Sequence, residues 1–454
     1  MATKFEETDV VVVGAGVSGL AAAYRLMEAG VGVVVLDADD RVGGRLLNHT
    51  LTDGTVFDLG GQWIAGPQDM PLVNKLIGEL NLTIFEQLDS ARFDVSSHAL
   101  STMTRLDQAE WEWFVAKLEA LAVTVNVDHP SQTPDAVALD GVSLEEWKRV
   151  NLDSIYLQHV FDQMVRTEYT LEPKDVSMLY FLLAVKTSGG LEAMFDPDGG
   201  SHNYRLVEGL AAITDRLAER LGDRVLLERQ VYDIIHREDG VRVIAENAII
   251  EADRVIVALP PNQAIKIDFD PVLPRRRKWL LERLEMASVI KCFALYPEPF
   301  WRGREAKQLD PEVVVIDHSM DASSRGDTHP ALVAFIGGDD AIDWSDRSAD
   351  ERRTVVLREL ARVFGPEALE ATDYFDHDWL TEPFIGGGYS CYAPPGVMTA
   401  GYEEISTPIG PIHWAGTETA KSYQGYVEGA LEAAERAVRE VLVVVRPQHP
   451  TAAP

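Results

Sequence analysis

Cysteine is scarce in this sequence, with two residues, Cys292 and Cys391, among 454. The chain has no CxxC pair and no Cys/His cluster, so we expect no metal site and no disulfide framework. Long apolar runs are missing as well. The run Val441–Val445 is far shorter than the roughly 20 residues that a membrane helix needs. We therefore expect no membrane-spanning segment.

Basic residues are also few. There are 41 lysines and arginines against 73 acidic residues, which gives a formal net charge of -32. Such a surface repels phosphate backbones, so we exclude nucleic acid as a partner. The first nine residues are too acidic and polar for a secretory signal, and we expect a cytoplasmic protein.

The remaining composition is that of a globular protein with a large core. Hydrophobic residues make up 46% of the chain and charged residues 25%. A chain of this length predicts two or three domains, or one large intertwined pair.

The first 36 residues predict a β-α-β unit. Asp9–Val13 and Val31–Leu36 are β-branched apolar runs typical of buried parallel strands, and Gly19–Ala29 has helical spacing. A nucleotide-binding half of an α/β fold requires this arrangement within about 30 residues.

Three glycines, Gly14, Gly16 and Gly19, follow the first predicted strand directly. They permit the tight turn, the backbone approach to a pyrophosphate and the close packing of helix on strand. Asp37, at the end of the second strand, suits a carboxylate that binds a ribose hydroxyl. The four residues together predict a dinucleotide site of the Rossmann type.

Two further segments extend this prediction. Arg41 and Arg45 flank paired glycines just past Asp37, which suits a second clamp on pyrophosphate. Gly60 and Gly61 let the backbone lie against a flat ring or a ribityl chain.

The rest of the chain divides by pattern. Leu82–Tyr204 is rich in helix formers and predicts a mostly helical segment, with a loop at Asp128–Pro134. Further on we predict strands at Val225–Leu227, Val241–Ile244, Arg254–Leu259, Ser288–Tyr296 and Ile412–Trp414, and helices at Glu351–Phe364 and Gly429–Val441.

At this point the chain resembles the flavin-containing amine oxidases, which include monoamine, polyamine and putrescine oxidases. The resemblance runs from Asp9 to about Leu442 and is carried by short motifs. These are Asp37–Arg45, Thr167–Ser177, Ser288–Cys292 with Glu298–Trp301, Gly387–Tyr389 with Pro394–Gly396, and Trp414–Thr419 with Gly425–Ala430.

The resemblance implies an FAD site built by both chain ends. It assigns Gly416 to the C-terminal FAD signature, Glu418 to the ribityl chain, the Val427 amide to the flavin N1/C2=O edge and Val231 to the adenine. Trp379 matches the tryptophan that packs on the flavin ring.

The same resemblance implies the catalytic residues. Tyr389 and Tyr426 match two tyrosines that flank the amine, and Lys291 matches a lysine that holds water near flavin N5 and promotes reaction with dioxygen. Leu171, Gln62 and His202 are predicted to line the substrate cavity.

One departure concerns attachment of the cofactor. Gly388 stands where mammalian monoamine oxidases carry a flavin-bound cysteine, and Cys391 lies in a different register. We therefore expect noncovalent FAD.

The predicted reaction is oxidative deamination of a small primary or secondary amine. Hydride would pass from the amine α-carbon to flavin N5, dioxygen would leave as hydrogen peroxide, and the imine would hydrolyse. Two alternatives are an L-amino acid oxidase and a desaturase or protoporphyrinogen oxidase of the same fold. The first needs a cationic clamp, yet Gln62–Pro67 lacks the expected arginine.

The predicted architecture is an α/β two-domain chain. A discontinuous Rossmann-like FAD-binding domain (1–80, 205–290 and 396–446) receives an inserted substrate domain of mixed sheet and helices (81–204 and 291–395). Residues 447–454 are predicted to form a disordered tail, and we expect a homodimer.

Overall fold

The computed structural model describes residues 4–87, 93–94, 103–191, 194, 203–303 and 314–445. His202 and the predicted tail 447–454 lie outside these residues.

Most strands belong to two sheets. In chain order the strands are β1 Lys4–Val13, β2 Val33–Leu36, β3 Asn48–Thr50, β4 Val56–Asp58, β5 Ile84–Glu86, β6 Phe93–Asp94, β7 Tyr204–Leu206, β8 Val225–Leu226, β9 Val231–Arg237, β10 Gly240–Ala245, β11 Ala248–Val257, β12 Asp268–Asp270, β13 Glu285–Met286, β14 Val289–Leu295, β15 His318–Asp321, β16 Ala331–Gly337, β17 Asp373–Asp378, β18 Cys391–Tyr392 and β19 Ile412–Trp414.

The helices are distributed along the chain, with the longest helical stretch between Arg105 and Thr187. They are α1 Val17–Glu28, α2 Pro71–Leu80, α3 Arg105–Thr124, α4 Ala136–Asp140, α5 Leu144–Asn151, α6 Ile155–Tyr169, α7 Met178–Thr187, α8 Ala212–Leu221, α9 Pro261–Ala264, α10 Arg275–Arg283, α11 Gly338–Ser345, α12 Ala349–Phe364 and α13 Val427–Val444. Among the described residues, no helix combines the length and apolar character that crossing a bilayer requires.

The larger sheet has eight strands in the order β12-β9-β10-β11-β1-β2-β8, with β19 also paired to β11. Its centre is parallel, because Val10–Val13 pairs with both β2 and the second half of β11. These valines are almost fully buried, as expected for strands covered on both faces. The β1-α1-β2 unit therefore has the predicted form.

Helix α13 brings the C-terminal part of the chain onto α1. The buried Ser18 hydroxyl donates to the Ala430 carbonyl at 2.7 Å and accepts from the Gly416 amide at 2.9 Å. One side chain of α1 therefore fixes both the loop after β19 and the first turn of α13. This contact places the two predicted flavin-binding segments side by side.

The second sheet has the order β17-β14-β16-β15-β6 and is antiparallel. Its register sets Lys291 opposite Phe335, and Phe335 opposite His318. Residues directly opposite each other point to the same face of a sheet. The three side chains therefore form one row across the middle strands.

Helices α3 to α7 share one hydrophobic core with the segment around Cys391 and Met398. The buried Asp140 carboxylate ties them together, because it accepts from the Ser177 hydroxyl at 2.8 Å and from the Thr399 amide at 2.8 Å. The helical segment is thereby held against the 391–399 strand and loop.

The structure differs from the sequence-based elements at the ends of the predicted elements and in the strands that were missed. The helix predicted from Gly19 begins at Val17, and the closing helix predicted from Gly429 begins at Val427. Strands β3 to β7, β9, β12, β13 and β15 to β18 were not predicted. The division into two domains stays a prediction, although the larger sheet takes its strands from 4–36, 225–270 and 412–414.

Candidate active site

The glycine turn after β1 leaves no room for side chains. Gly14 has φ +106, and a Cβ there would lie 2.7 Å from the Ala258 carbonyl oxygen. A Cβ on Gly19 would lie 1.9 Å from the Gly14 carbonyl oxygen. Helix α1 therefore approaches β1 closely, and Gly16 stands at its N-terminus without a side-chain cap. The free amides and partial positive charge there suit a phosphate.

Asp37 lies at the carboxyl end of β2, at the same end of the cavity. Its carboxylate accepts from the Ala15 amide at 2.5 Å and from the Asp39 amide at 2.9 Å. Burial raises the pKa of Asp37 above its ordinary value. Val231 and Arg229 also line this end of the cavity.

Arg45 and Glu418, both predicted to bind the cofactor, bind each other. The guanidinium donates to the two carboxylate oxygens at 2.6 and 3.1 Å, and it also reaches the Tyr389 carbonyl at 2.8 Å. Burial acts to raise the pKa of Glu418, but Arg45 outweighs it and leaves that pKa below its ordinary value. Arg45 lines the cavity. A contact of Glu418 with a ribityl chain stays a prediction.

The middle of the cavity is bounded by backbone and by one large ring. A Cβ on Gly60 would lie 2.1 Å from the Arg45 carbonyl oxygen, and one on Gly61 would lie 2.9 Å from Leu46 Cδ2. The buried Trp379 indole donates to the Leu59 carbonyl at 3.0 Å. Gly60, Gly61 and Trp379 all line the cavity, and glycine backbone together with an aromatic ring suits a planar ligand.

The N-terminus of α13 borders the same slot. Tyr426 is its N-terminal flanking residue and makes no side-chain cap. Gly416, with φ +99, and Val427 both line the cavity. The first amides of an α-helix have no partner within it, so this end offers donors and partial positive charge.

Lys291 is 2% exposed and lies on the cavity wall. Its Nζ donates to the Gly60 carbonyl at 2.9 Å and to Gln62 Oε1 at 2.7 Å. Burial lowers the pKa of Lys291 to about 7, with the nearby Asp58 carboxylate opposing the effect. Lys291 can therefore exchange a proton near neutral pH.

Gln62 holds Lys291 and has a second polar atom to offer. The side chain is 2% exposed, and its Nε2 has no hydrogen-bond partner in the described part of the chain. Gln62 lines the cavity, as predicted for a cavity residue. A buried amide donor of this kind suits a bound ligand or water.

Tyr389 and Tyr426 both line the cavity at the end where Lys291 lies. The Tyr389 ring meets Phe335 edge to face, with centroids 6.4 Å apart. The Tyr426 hydroxyl donates to Glu168 Oε1 at 2.6 Å. Leu171 is buried and borders the same space. An arrangement of the two tyrosine rings on either side of an amine stays a prediction.

One continuous cavity joins these parts. The predicted residues Gly19 and Glu418 are not part of its wall, whereas it includes side chains that the sequence analysis did not single out: Thr167, Glu168, Tyr169, His318, Met320 and Phe335. His318 stacks on Phe335 with ring centroids 4.2 Å apart. The apolar run Ala331–Gly337 is a strand signal that the sequence analysis missed, whereas β15 carries none, and the place of both strands on the cavity wall emerges only from strand pairing. Glu168 lies in the motif Thr167–Ser177, which resembles the flavin-containing amine oxidases, but the resemblance implied no role for its carboxylate.

The groups that line the cavity fit FAD. A helix end that suits a phosphate and the partly buried Asp37 carboxylate line the cavity, together with glycine backbone and the Trp379 indole. The N-terminus of α13 and Lys291 line the same cavity. The fold and this cavity define an FAD-dependent oxidoreductase.

Comparison with known proteins gives the family. The family model of flavin-containing amine oxidoreductases matches residues 17–442. A relative from Dictyostelium discoideum, probable flavin-containing monoamine oxidase A, is 33% identical over 95% of this chain and 97% of its own length.

Solved structures agree with this match. Wild-type putrescine oxidase bound to putrescine has a TM-score of 0.89 and 30% identity, over 97% of this chain and 100% of that one. Cyclohexylamine oxidase from Brevibacterium oxydans has a TM-score of 0.89 and 29% identity, over 96% and 98%. The chain belongs to the flavin-containing amine oxidase family, and its activity is the oxidation of amines with a flavin cofactor.

Proposed function

We propose that this protein oxidises a primary or secondary amine to an imine with noncovalent FAD, and reduces dioxygen to hydrogen peroxide. The main support for this proposal is that one cavity extends from the glycine turn at Gly14–Gly19 to Lys291, Tyr389 and Tyr426. When bound, FAD supplies the acceptor for the electrons of the amine C–H bond. The imine then hydrolyses to an aldehyde or ketone with release of ammonia or an amine.

The two tyrosines are proposed to orient the amine. Their rings present electron-rich faces that attract an approaching ammonium, and bulky groups are excluded between them. The reacting nitrogen must be neutral before its α-carbon can give up hydride. Activity is therefore expected to rise with pH through the pKa of the bound amine.

Lys291 is proposed to act in the half-reaction with dioxygen. A positively charged or proton-donating group stabilises the negative charge that develops on dioxygen. The polar atoms around it, the Gly60 carbonyl and Gln62 Oε1, hold its Nζ at the cavity wall.

Noncovalent binding is supported by the environment of Cys391. Its thiol is buried, and burial raises its pKa well above the ordinary value, so the thiolate needed for attack on a ring is disfavoured. Gly388 offers no side-chain nucleophile where the mammalian relatives carry a cysteine.

The electrostatics of the cavity also favour amines over amino acids. Glu168 places a carboxylate at the substrate end, where a substrate carboxylate would be repelled. Arg45 has its guanidinium engaged by Glu418. An amino acid would therefore lack a free clamp among these residues.

Product analysis tests the proposal. The purified protein is incubated with benzylamine, butylamine, 1,4-diaminobutane and leucine under air. We expect one hydrogen peroxide for each aldehyde from at least one amine, and none from leucine. Oxidation of leucine alone, or aldehyde formation that requires an added electron acceptor, would contradict it.

A further inference from the structure

One buried carboxylate behind the cavity wall has no part in the proposed reaction. Asp58 ends β4 and is 1% exposed, and the residue after it, Leu59, lines the cavity. The Asp58 Oδ1 accepts from the Leu210 amide at 2.5 Å. A carboxylate this far from water is costly unless a positive charge compensates it. The identity of that positive charge therefore decides what Asp58 does.

The chain on both sides of Asp58 is packed around the active-site lysine. Two residues after it, the Gly60 carbonyl accepts from the Lys291 Nζ at 2.9 Å. One residue before it, Phe57 meets the Phe293 ring edge to face, with centroids 5.4 Å apart. The Lys291 Nζ lies 5.3 Å from the centre of the same Phe293 ring. Strand β4 thus brings its carboxylate into the surroundings of Lys291.

Two buried cations act on this carboxylate. Burial raises the pKa of Asp58 to about 6, and the charges of Arg205 and Lys291 oppose the rise. Burial likewise lowers the pKa of Lys291 to about 7, which Asp58 opposes and Arg205 reinforces. Arg205 is 2% exposed and donates to the Ser323 carbonyl at 3.1 Å. Asp58 is thus a negative charge that compensates the buried ammonium of the lysine.

Three other titratable groups lie around Lys291. His377 is paired with it across β14 and β17 and lies 3.0 Å from Glu382. Burial lowers the pKa of His377, so this ring is neutral above pH 7. His318 lies two strands away in the same row. Burial raises the pKa of Tyr389 well above its ordinary value, so this phenol keeps its proton. None of these three rings supplies a negative charge near neutral pH, so the compensation comes from β4.

Resting on the proposed reaction with dioxygen, we propose that Asp58 is the counter-charge of Lys291 and sets the pH range over which this lysine promotes reoxidation. Asp58 acts through Lys291 and is therefore a positioning residue. Its carboxylate favours the ammonium form of the lysine, so the lysine keeps its charge to a higher pH than it would alone. Asp58 thereby extends reoxidation to higher pH.

Asp58→Asn removes the charge and keeps an oxygen that can accept from the Leu210 amide. Lys291 should then lose its proton at lower pH, and the pH at which reoxidation declines should fall by about one unit or more. The FAD-loaded protein is reduced with dithionite, so that no amine is needed, and is mixed with dioxygen in a stopped-flow instrument between pH 5 and 9.

A second readout needs neither flavin nor amine. The unfolding free energy of the wild type relative to Lys291→Met should rise with pH from about 7, where the folded chain loses the lysine proton, to 10.5, where the unfolded chain does. In the Asp58→Asn background this rise should begin at lower pH, because only the folded chain is affected. Urea unfolding of the four variants measures it.

Two further variants control for burial and for folding. Asp317→Asn removes a buried carboxyl group on β15 that lies 3.7 Å from Arg166, and it should leave both readouts unchanged. Gln62→Glu puts a carboxylate where Oε1 now lies 2.7 Å from the Lys291 Nζ. It should move the decline of reoxidation to higher pH, and it tests the inference if Asp58→Asn does not fold. The melting temperature identifies such a failure.

The outcomes separate this inference from the proposed function. If Asp58→Asn leaves either readout unchanged, the inference is overturned and amine oxidation stands. A shift in reoxidation that Asp58→Asn also produces in the Lys291→Met background would overturn it too, because Asp58 would then act without the lysine. A wild type that no amine reduces would refute the proposed function, whereas dithionite reduction and urea unfolding would still decide the role of Asp58.

Discussion

Replacing Lys291 with methionine separates the two half-reactions. Methionine has a similar length and no charge, so the slot and the flavin site should remain. Reduction by amine is expected to change little, whereas reoxidation by dioxygen should slow markedly because the stabilising group is gone. In the wild type, reoxidation should fall as the pH rises past about 7, where Lys291 loses its proton.

The burial of Lys291 also sets the free-energy effect of the same substitution on stability. The gap between a pKa of about 7 and the ordinary 10.5 corresponds to about 5 kcal/mol, at about 1.36 kcal/mol per pH unit. This is the upper limit of the cost of holding the charged lysine in its buried position. Below pH 7 the folded and unfolded chains are both protonated at this site, and the full cost is present.

The lowered pKa of Lys291 also determines how the unfolding free energy changes with pH. Between pH 7 and 10.5 the unfolded chain holds the Lys291 proton and the folded chain does not, so the wild type gains stability as pH rises. The methionine variant lacks this contribution. The difference in unfolding free energy, wild type minus variant, should therefore rise by up to about 1.4 kcal/mol per pH unit across this window.

Two assays measure these effects of the Lys291→Met substitution. Stopped-flow absorbance measures reduction and reoxidation separately between pH 6 and 9, and urea unfolding gives the stability difference over the same range. The lost donor to Gly60 and Gln62 adds a destabilisation of about 1–3 kcal/mol that does not depend on pH. A stability difference that stays constant with pH would refute the buried titration. Equal slowing of both half-reactions would refute the role of Lys291 toward dioxygen.

Three further outcomes are expected. Tyr426→Ala should retain FAD but lose most amine oxidation, and unaltered turnover would contradict the proposed role of the ring. Acid precipitation should leave the flavin in a yellow supernatant, whereas a yellow pellet would disprove noncovalent binding. Gly19→Ala should abolish FAD binding or folding, because its Cβ would lie 1.9 Å from a backbone oxygen; a variant purified with a full complement of FAD would contradict this packing.

The geometry of the glycine turn was predictable because its constraints are local, while dinucleotide binding there stays a prediction. Gly14 and Gly19 lie in one turn, and Asp37 ends the next strand, so a single β-α-β pattern specifies their geometry. The family resemblance extended this to Lys291 and the C-terminal segment. The family, the fold class and the amine oxidation predicted from the sequence are confirmed.

The substrate end depends on contacts that no local pattern encodes. Glu168 and Tyr426 meet across 258 positions of sequence, and Arg45 and Glu418 across 373. Sequence reasoning assigned Glu418 to the cofactor, whereas the structure shows its carboxylate engaged by Arg45. The row of Lys291, Phe335 and His318 likewise results from strand register. Such pairings are set by tertiary packing, which propensity and periodicity do not specify.

If one cavity holds FAD with an amine beside it, the amine must reduce the flavin in the absence of oxygen, and an anaerobic titration measures this reduction. The purified protein is freed of oxygen and mixed with increasing benzylamine or 1,4-diaminobutane while the visible spectrum is recorded. We expect a yellow protein with about one flavin per chain, whose absorbance bleaches with an amine and returns when air is admitted. A protein that stays colourless after refolding with excess FAD, or a bound flavin that no amine reduces, would contradict it.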